Sequence, residues 1–137
     1  MHPDLQIAPT YVQAEGCRVS YEPEVPCVTM VWSEYAASSF REANEAVLDL
    51  IIHRGATKLL GDIDGLGLIG AEDQVWLAHD WLPRAARARV RDVALVTGAF
   101  ELHHSPVLLI GEERPKSMAL EYFGDLEAGR AWLRTRP

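Results

Sequence analysis

Residues 58–86 read KLLGDIDGLGLIGAEDQVWLAHDWLPRAA. They parse as a buried strand over Lys58–Ile63, a glycine-rich connection over Asp64–Gly70, and a long apolar helix from Ala71 to about Ala88. The strand is a nearly continuous apolar run, the pattern of an interior strand in a parallel sheet. The connection falls where open α/β sheets usually place their chemistry. It holds no Ser, Thr, Cys, Lys or Arg. Nucleophilic catalysis, phosphate cradling and phospho-switching are therefore not expected in that segment.

Upstream, Cys17–Glu22 and Cys27–Ser33 read as a β-hairpin around Pro23-Glu24-Val25-Pro26. Pairing Glu22 with Cys27 sets Cys17, Val19 and Tyr21 beside Trp32, Met30 and Val28 on one face, as period-two alternation requires. Tyr11–Ala14 offers a further short edge strand. Ser39 and Glu42 form a capping-box signature for a helix. Phe40, Ala43, Val47, Leu50 and Ile51 follow helical spacing, and Gly55 is its expected stop.

Downstream, Asp92–Thr97 is another short buried strand. Ser105-Pro106 opens a short helix over Val107–Glu113, with proline at the first helical position. Ala119–Phe123 is the last strand. Asp125 caps a terminal helix bearing Leu126, Trp132 and Leu133. The resulting fold class is α/β: a mixed, mostly parallel five-stranded sheet with a leading β-hairpin and about four helices. Residues 1–10 read as a flexible leader and 11–137 as a single domain.

The chain of 137 residues is long enough to bury a core without staples. It is 48% hydrophobic and 24% charged, with a net charge of −7. That balance suits a soluble globule and opposes general nucleic-acid binding. The N-terminus carries no secretory pattern, and no apolar run reaches membrane-spanning length, so a cytoplasmic protein without a transmembrane segment is expected. The hairpin register puts Cys17 and Cys27 on opposite faces, out of disulfide reach.

The order of elements, with GATKLLGDIDGLGLIGAEDQVWLAHDWLPRA (55–85) and EYFGDLEAGRAWL (121–133), resembles the STAS-like domains, which share the SpoIIAA-like sandwich of bacterial anti-sigma-factor antagonists. More narrowly, it resembles small stand-alone bacterial STAS/SEC14-like proteins of unassigned function. The resemblance implies a SpoIIAA-like sandwich and a regulatory or protein-interaction role. Antagonists of that family carry a phosphorylatable Ser or Thr at the start of the helix after the central strand. The matching stretch here is Gly70-Ala71-Glu72-Asp73, which has no hydroxyl. The switch is not carried over, and Glu72 and Asp73 read as first-turn acids that favour a helix.

Other candidates are set against plainer readings. Gly65, Gly67 and Gly70 match G-x-G-x-x-G, but Asp64, Glu72 and Asp73 would crowd a pyrophosphate with negative charge, so the glycines read as strain relief in a turn. Asp62 and Asp64, with His103 and His104, suggest a metal-dependent hydrolase only if the fold gathers them; the plainer reading has Asp62 bonding the following loop. No cofactor and no metal site are expected. On the 71–88 helix, Val75, Leu77, Ala78, Trp81, Leu82, Ala85, Ala86 and Ala88 form the apolar half at 100° per residue. Trp76 falls in the polar half with His79, Asp80, Arg84 and Arg87, and an indole there needs a cover. Pro83 is expected to bend the helix near His79. Arg84, Arg87, Arg89 and Arg91 suit the helix's negative pole, with an anionic partner or lipid head group as the functional alternative.

The expectation is a non-enzymatic interaction or regulatory module, a homodimer that works through Trp76, His79, Asp80, Arg84 and Arg87. The alternative is a carrier or sensor of a small apolar or anionic, lipid-like ligand held between the helices and residues 98–117.

Overall fold

The computed structural model describes residues 12–97 and 112–137. Among these, six strands form one sheet in the order in which they occur in the chain. β1 (Val12–Ala14), β2 (Cys17–Glu22) and β3 (Cys27–Trp32) are antiparallel. β4 (Lys58–Asp62), β5 (Asp92–Val96) and β6 (Ala119–Phe123) then add in parallel. The five strands expected from the sequence are joined by the short edge strand β1.

The hairpin register is the one that alternation dictates. Cys17 pairs with Trp32, Val19 with Met30, Tyr21 with Val28, and Glu22 with Cys27. Consequently the sheet has two cores. One face carries Val19, Met30, Trp32, Leu59, Val93 and Leu95 beneath α1 (Phe40–Arg54) and α2 (residues 71–87). The other carries Cys27, Leu60, Ala94 and Val96 beneath α3 (Leu126–Thr135). Cys17 and Cys27 are free thiols buried in different cores. Full burial of side chains such as Phe40, Ile51 and Leu59 contributes about 1.5–3 kcal/mol apiece.

α1 stops at Gly55, which takes the left-handed conformation expected of it. Its start differs from the expected capping box. Ser39 occupies the cap position but bonds no helix N–H; its hydroxyl donates instead to Glu15 at 2.9 Å. A neighbouring carboxylate has outcompeted the backbone. Asp125 does cap α3, accepting from the Ala128 N–H at 2.8 Å. The far end of α3 is closed by a buried lysine on β4. Lys58 Nζ donates to the carbonyls of Leu133 at 2.7 Å and Arg136 at 2.9 Å. A cation at a helix C-terminus meets the negative dipole end.

α2 comprises Ala71–Trp76, Leu77–Trp81 and Leu82–Arg87, three pieces that run on without a break in helical backbone angles. The middle piece is a π turn, in which the Leu82 N–H bonds the Leu77 carbonyl. It falls where a distortion by Pro83 was expected. A proline has no N–H for the carbonyl four residues earlier, here His79, and its ring crowds that oxygen in a regular helix. A wider turn relieves the crowding.

The extra residue in that turn rotates everything before it by about 100° relative to everything after it. The apolar stripe is therefore right for Ala78, Trp81, Leu82 and Ala85, all buried, and wrong upstream. Val75, expected inside, is 57% exposed. Trp76, expected among polar neighbours, packs against the core, and Asp73 is buried.

The expected leader 1–10, His103 and His104, and most of the expected 107–113 helix lie outside the described residues.

Candidate functional site

Gly65 lets the connection after β4 pass hard against the end of β3. A Cβ there would stand 2.3 Å from the Trp32 carbonyl oxygen. Asp64–Leu66 forms a single 3-10 turn, and Asp62 accepts the Asp64 N–H at 3.2 Å, the loop-bonding role expected of it. A Cβ on Gly70 would strike the Tyr35 hydroxyl at 2.8 Å. Gly65 and Gly70 of the G-x-G-x-x-G match thus answer to close approaches from β3 and Tyr35, and Gly67 to its positive φ of 65°. Leu66 and Ile69 turn inward, while Leu68 is 80% exposed.

The inward side of this connection closes a cavity. It has a volume of about 60 Å³ and lies between the sheet, α1 and α2, with Trp32, Phe40, Leu66, Leu77, Trp81 and Val93 among its walls. The walls are apolar apart from Asn44, whose side-chain amide donates to the Phe40 carbonyl at 2.9 Å. Two of the wall residues, Leu77 and Trp81, are the first and last residues of the π turn. Trp81 is pinned across the cavity's rim by its indole N–H, which donates to the Asn44 carbonyl at 2.8 Å.

The outer side of the same turn carries two of the residues singled out from sequence. His79 and Asp80 are exposed. His79 Nε2 lies 2.6 Å from a carboxylate oxygen of Glu113. Asp80 accepts from Arg84 Nε at 2.8 Å. Arg84 also forks onto both carboxylate oxygens of Glu45 on α1, with Nη1 at 2.8 Å from Oε1. These carboxylates hold its guanidinium charged more firmly than usual, against a smaller opposing effect of burial. Arg87 is exposed one turn further on.

Trp76 is covered by its own chain. The Arg41 guanidinium lies 5.3 Å from its ring centroid and that of Arg84 lies 6.0 Å away. Arg41 is in turn held by Asp73 at 2.7 Å, and Asp73 accepts the Tyr35 hydroxyl at 2.6 Å. Hydrogen bonding to that carboxylate, then burial, raises the Tyr35 pKa. Asp73 is therefore a joint between α2 and the segment leading into α1; of the two first-turn acids only Glu72 faces solvent. Sequence reasoning missed the partners Tyr35, Arg41 and Glu45, because ties between separate elements leave no local spacing signal.

Among the described residues, no three of His, Cys, Asp and Glu gather closely enough to hold a metal ion, and no helix is long and apolar enough to cross a membrane. No family model matches this chain, and no curated protein matches it.

Proposed function

We propose that this protein is a STAS-like regulatory module without catalytic activity, which senses or carries a small apolar group in the cavity beneath α2. The observation that carries this reading is the shared π turn. Leu77 and Trp81 face the cavity, and His79 and Asp80 face outward from the same five residues. An occupant that pushes on Leu77 or Trp81 moves the outer pair with them. π turns recur at functional sites because one extra residue can be taken up or released at modest cost. The cavity has room for a few carbon atoms, so the tip of an alkyl chain fits and a whole lipid does not.

The outer stripe of α2 is the surface that reports occupancy, and a second copy of the chain is its proposed occupant. Glu72, Val75, His79 and Arg87 are exposed along it. An antiparallel pairing centred between His79 and Asp80 sets Glu72 of one copy against Arg87 of the other. It also covers Val75, as a two-fold interface requires self-complementarity.

Native mass spectrometry of the purified protein tests both parts. A dimer that retains a small apolar adduct supports them. A bare monomer that takes up no short-chain alcohol would remove the reading.

A further inference from the structure

α2 ends in a turn that is conformationally costly. Arg89 has φ +77°, the left-handed region, and is the one non-glycine residue there among those described; the others are Gly16, Gly55 and Gly67. The Arg89 N–H bonds the Ala86 carbonyl and the Val90 N–H bonds the Ala85 carbonyl, the closing pattern of a helix end that normally recruits glycine. An L-residue there costs about 1–2 kcal/mol. Strain of this kind persists where the side chain is used.

Arg89 lines a recess of about 390 Å³ at the amino-terminal edge of β4, β5 and β6, the edge opposite the 64–70 connection. Arg91 and Arg136 line it too, with the hydroxyl residues Thr57 and Ser117. Asp92 is the one acidic side chain in the lining, where it pairs with Arg136 at 2.8 Å, and the backbone end at Pro137 lines the recess as well. Arg136 is further fixed over the Trp132 ring at 5.1 Å. It is therefore held in place before any ligand arrives, with the rest of its planar fork left to donate. The guanidiniums of Arg89 and Arg91 make no ion pair among the described residues. Three arginines thus line one recess in a chain whose net charge is −7.

We infer that this recess binds a phosphate group, borne by a small phosphorylated molecule or a lipid head group. Arg89, Arg91 and Arg136 supply charge-assisted hydrogen bonds to its oxygens, and Thr57 and Ser117 supply hydroxyl donors. The recess is independent of the cavity beneath α2.

The test titrates the full chain with inorganic phosphate and pyrophosphate by calorimetry. In parallel, it is sedimented with phosphatidylglycerol-containing vesicles and with pure phosphatidylcholine vesicles. Arg89→Gly keeps the left-handed backbone and removes the guanidinium; Arg91→Gln removes the second; Arg18→Gln, on β2, is the control for net charge. Saturable binding that weakens about tenfold in Arg89→Gly and in Arg91→Gln, and not in Arg18→Gln, is the expected result. Binding of the free anions assigns a soluble ligand, and binding of the phosphatidylglycerol vesicles alone assigns a head group. No binding in either arm, or a loss equal in Arg18→Gln, or no loss in the two recess variants, overturns the proposal.

Discussion

The Trp81 indole donates its N–H to the Asn44 carbonyl oxygen at 2.8 Å, joining the end of the π turn to α1 over an apolar cavity. The bond is buried, so neither group has water to turn to. Trp81→Phe keeps the aromatic packing and removes the donor. It should lower the free energy of unfolding by about 1–2 kcal/mol, read from urea denaturation with an unchanged slope. It should also loosen the π turn, seen as faster amide exchange at His79 and Asp80.

Val93 lies on β5 in the cavity wall. Val93→Ile adds one methylene to space that is empty. It should raise stability by up to about 0.8 kcal/mol, because the group leaves water without displacing a neighbour. In a filled core the same change would lower stability by about 1–3 kcal/mol through overpacking. The sign of the change in thermal midpoint separates the two.

Burial pushes the Cys17 thiol to about 12 and the Cys27 thiol to about 11. Both are neutral at physiological pH, and neither should react with a thiol reagent until the chain unfolds. The linkage has a definite sign. An unfolded thiol ionises near pH 9 while the native one stays protonated, so the native state then binds more protons. Stability is unaffected below about pH 8.5 and falls as pH rises towards 11 to 12. Cys27→Ala should flatten part of that alkaline decline in denaturation curves.

Glu22 works in the opposite direction. Burial raises its pKa, but hydrogen bonds from Arg130 at 2.8 Å and Thr29 at 2.6 Å outweigh this and hold it below the usual carboxylate range. Its contribution is present above the ordinary carboxylate pKa and is lost as pH falls through the native value. Glu22→Gln should cost about 1 kcal/mol at pH 7, since the pair is a quarter exposed and partly screened. The difference from the parent should shrink as pH falls through that lowered native value.

The hairpin was fully legible in the sequence. Alternating Cys17, Val19 and Tyr21 against Val28, Met30 and Trp32 admit one register, since a slip by one residue would turn every side chain to the wrong face. The phase of α2 was legible only after the π turn. A projection at constant pitch cannot anticipate an inserted residue, so Val75 and Trp76 exchange roles while Trp81 and Leu82 stay where expected. Pro83 marked the place of the distortion but not its form. The covering of Trp76 by Arg41 and the spending of Ser39 on Glu15 depend on contacts between distant segments, and periodicity carries no trace of them. The arginine recess was half legible. Arg89 and Arg91 stood out as a cluster, but only the fold adds Arg136 and the left-handed backbone of Arg89.

A titration of the chain with straight-chain alcohols from butanol to octanol, followed by amide and indole NMR, tests the coupling most directly. The account predicts saturable shifts of the Trp81 indole N–H together with the amides of Leu77, His79 and Asp80, reduced in Val93→Ile. Shifts that never saturate, or that stop at Leu77 and Trp81 and leave His79 and Asp80 unmoved, would contradict it.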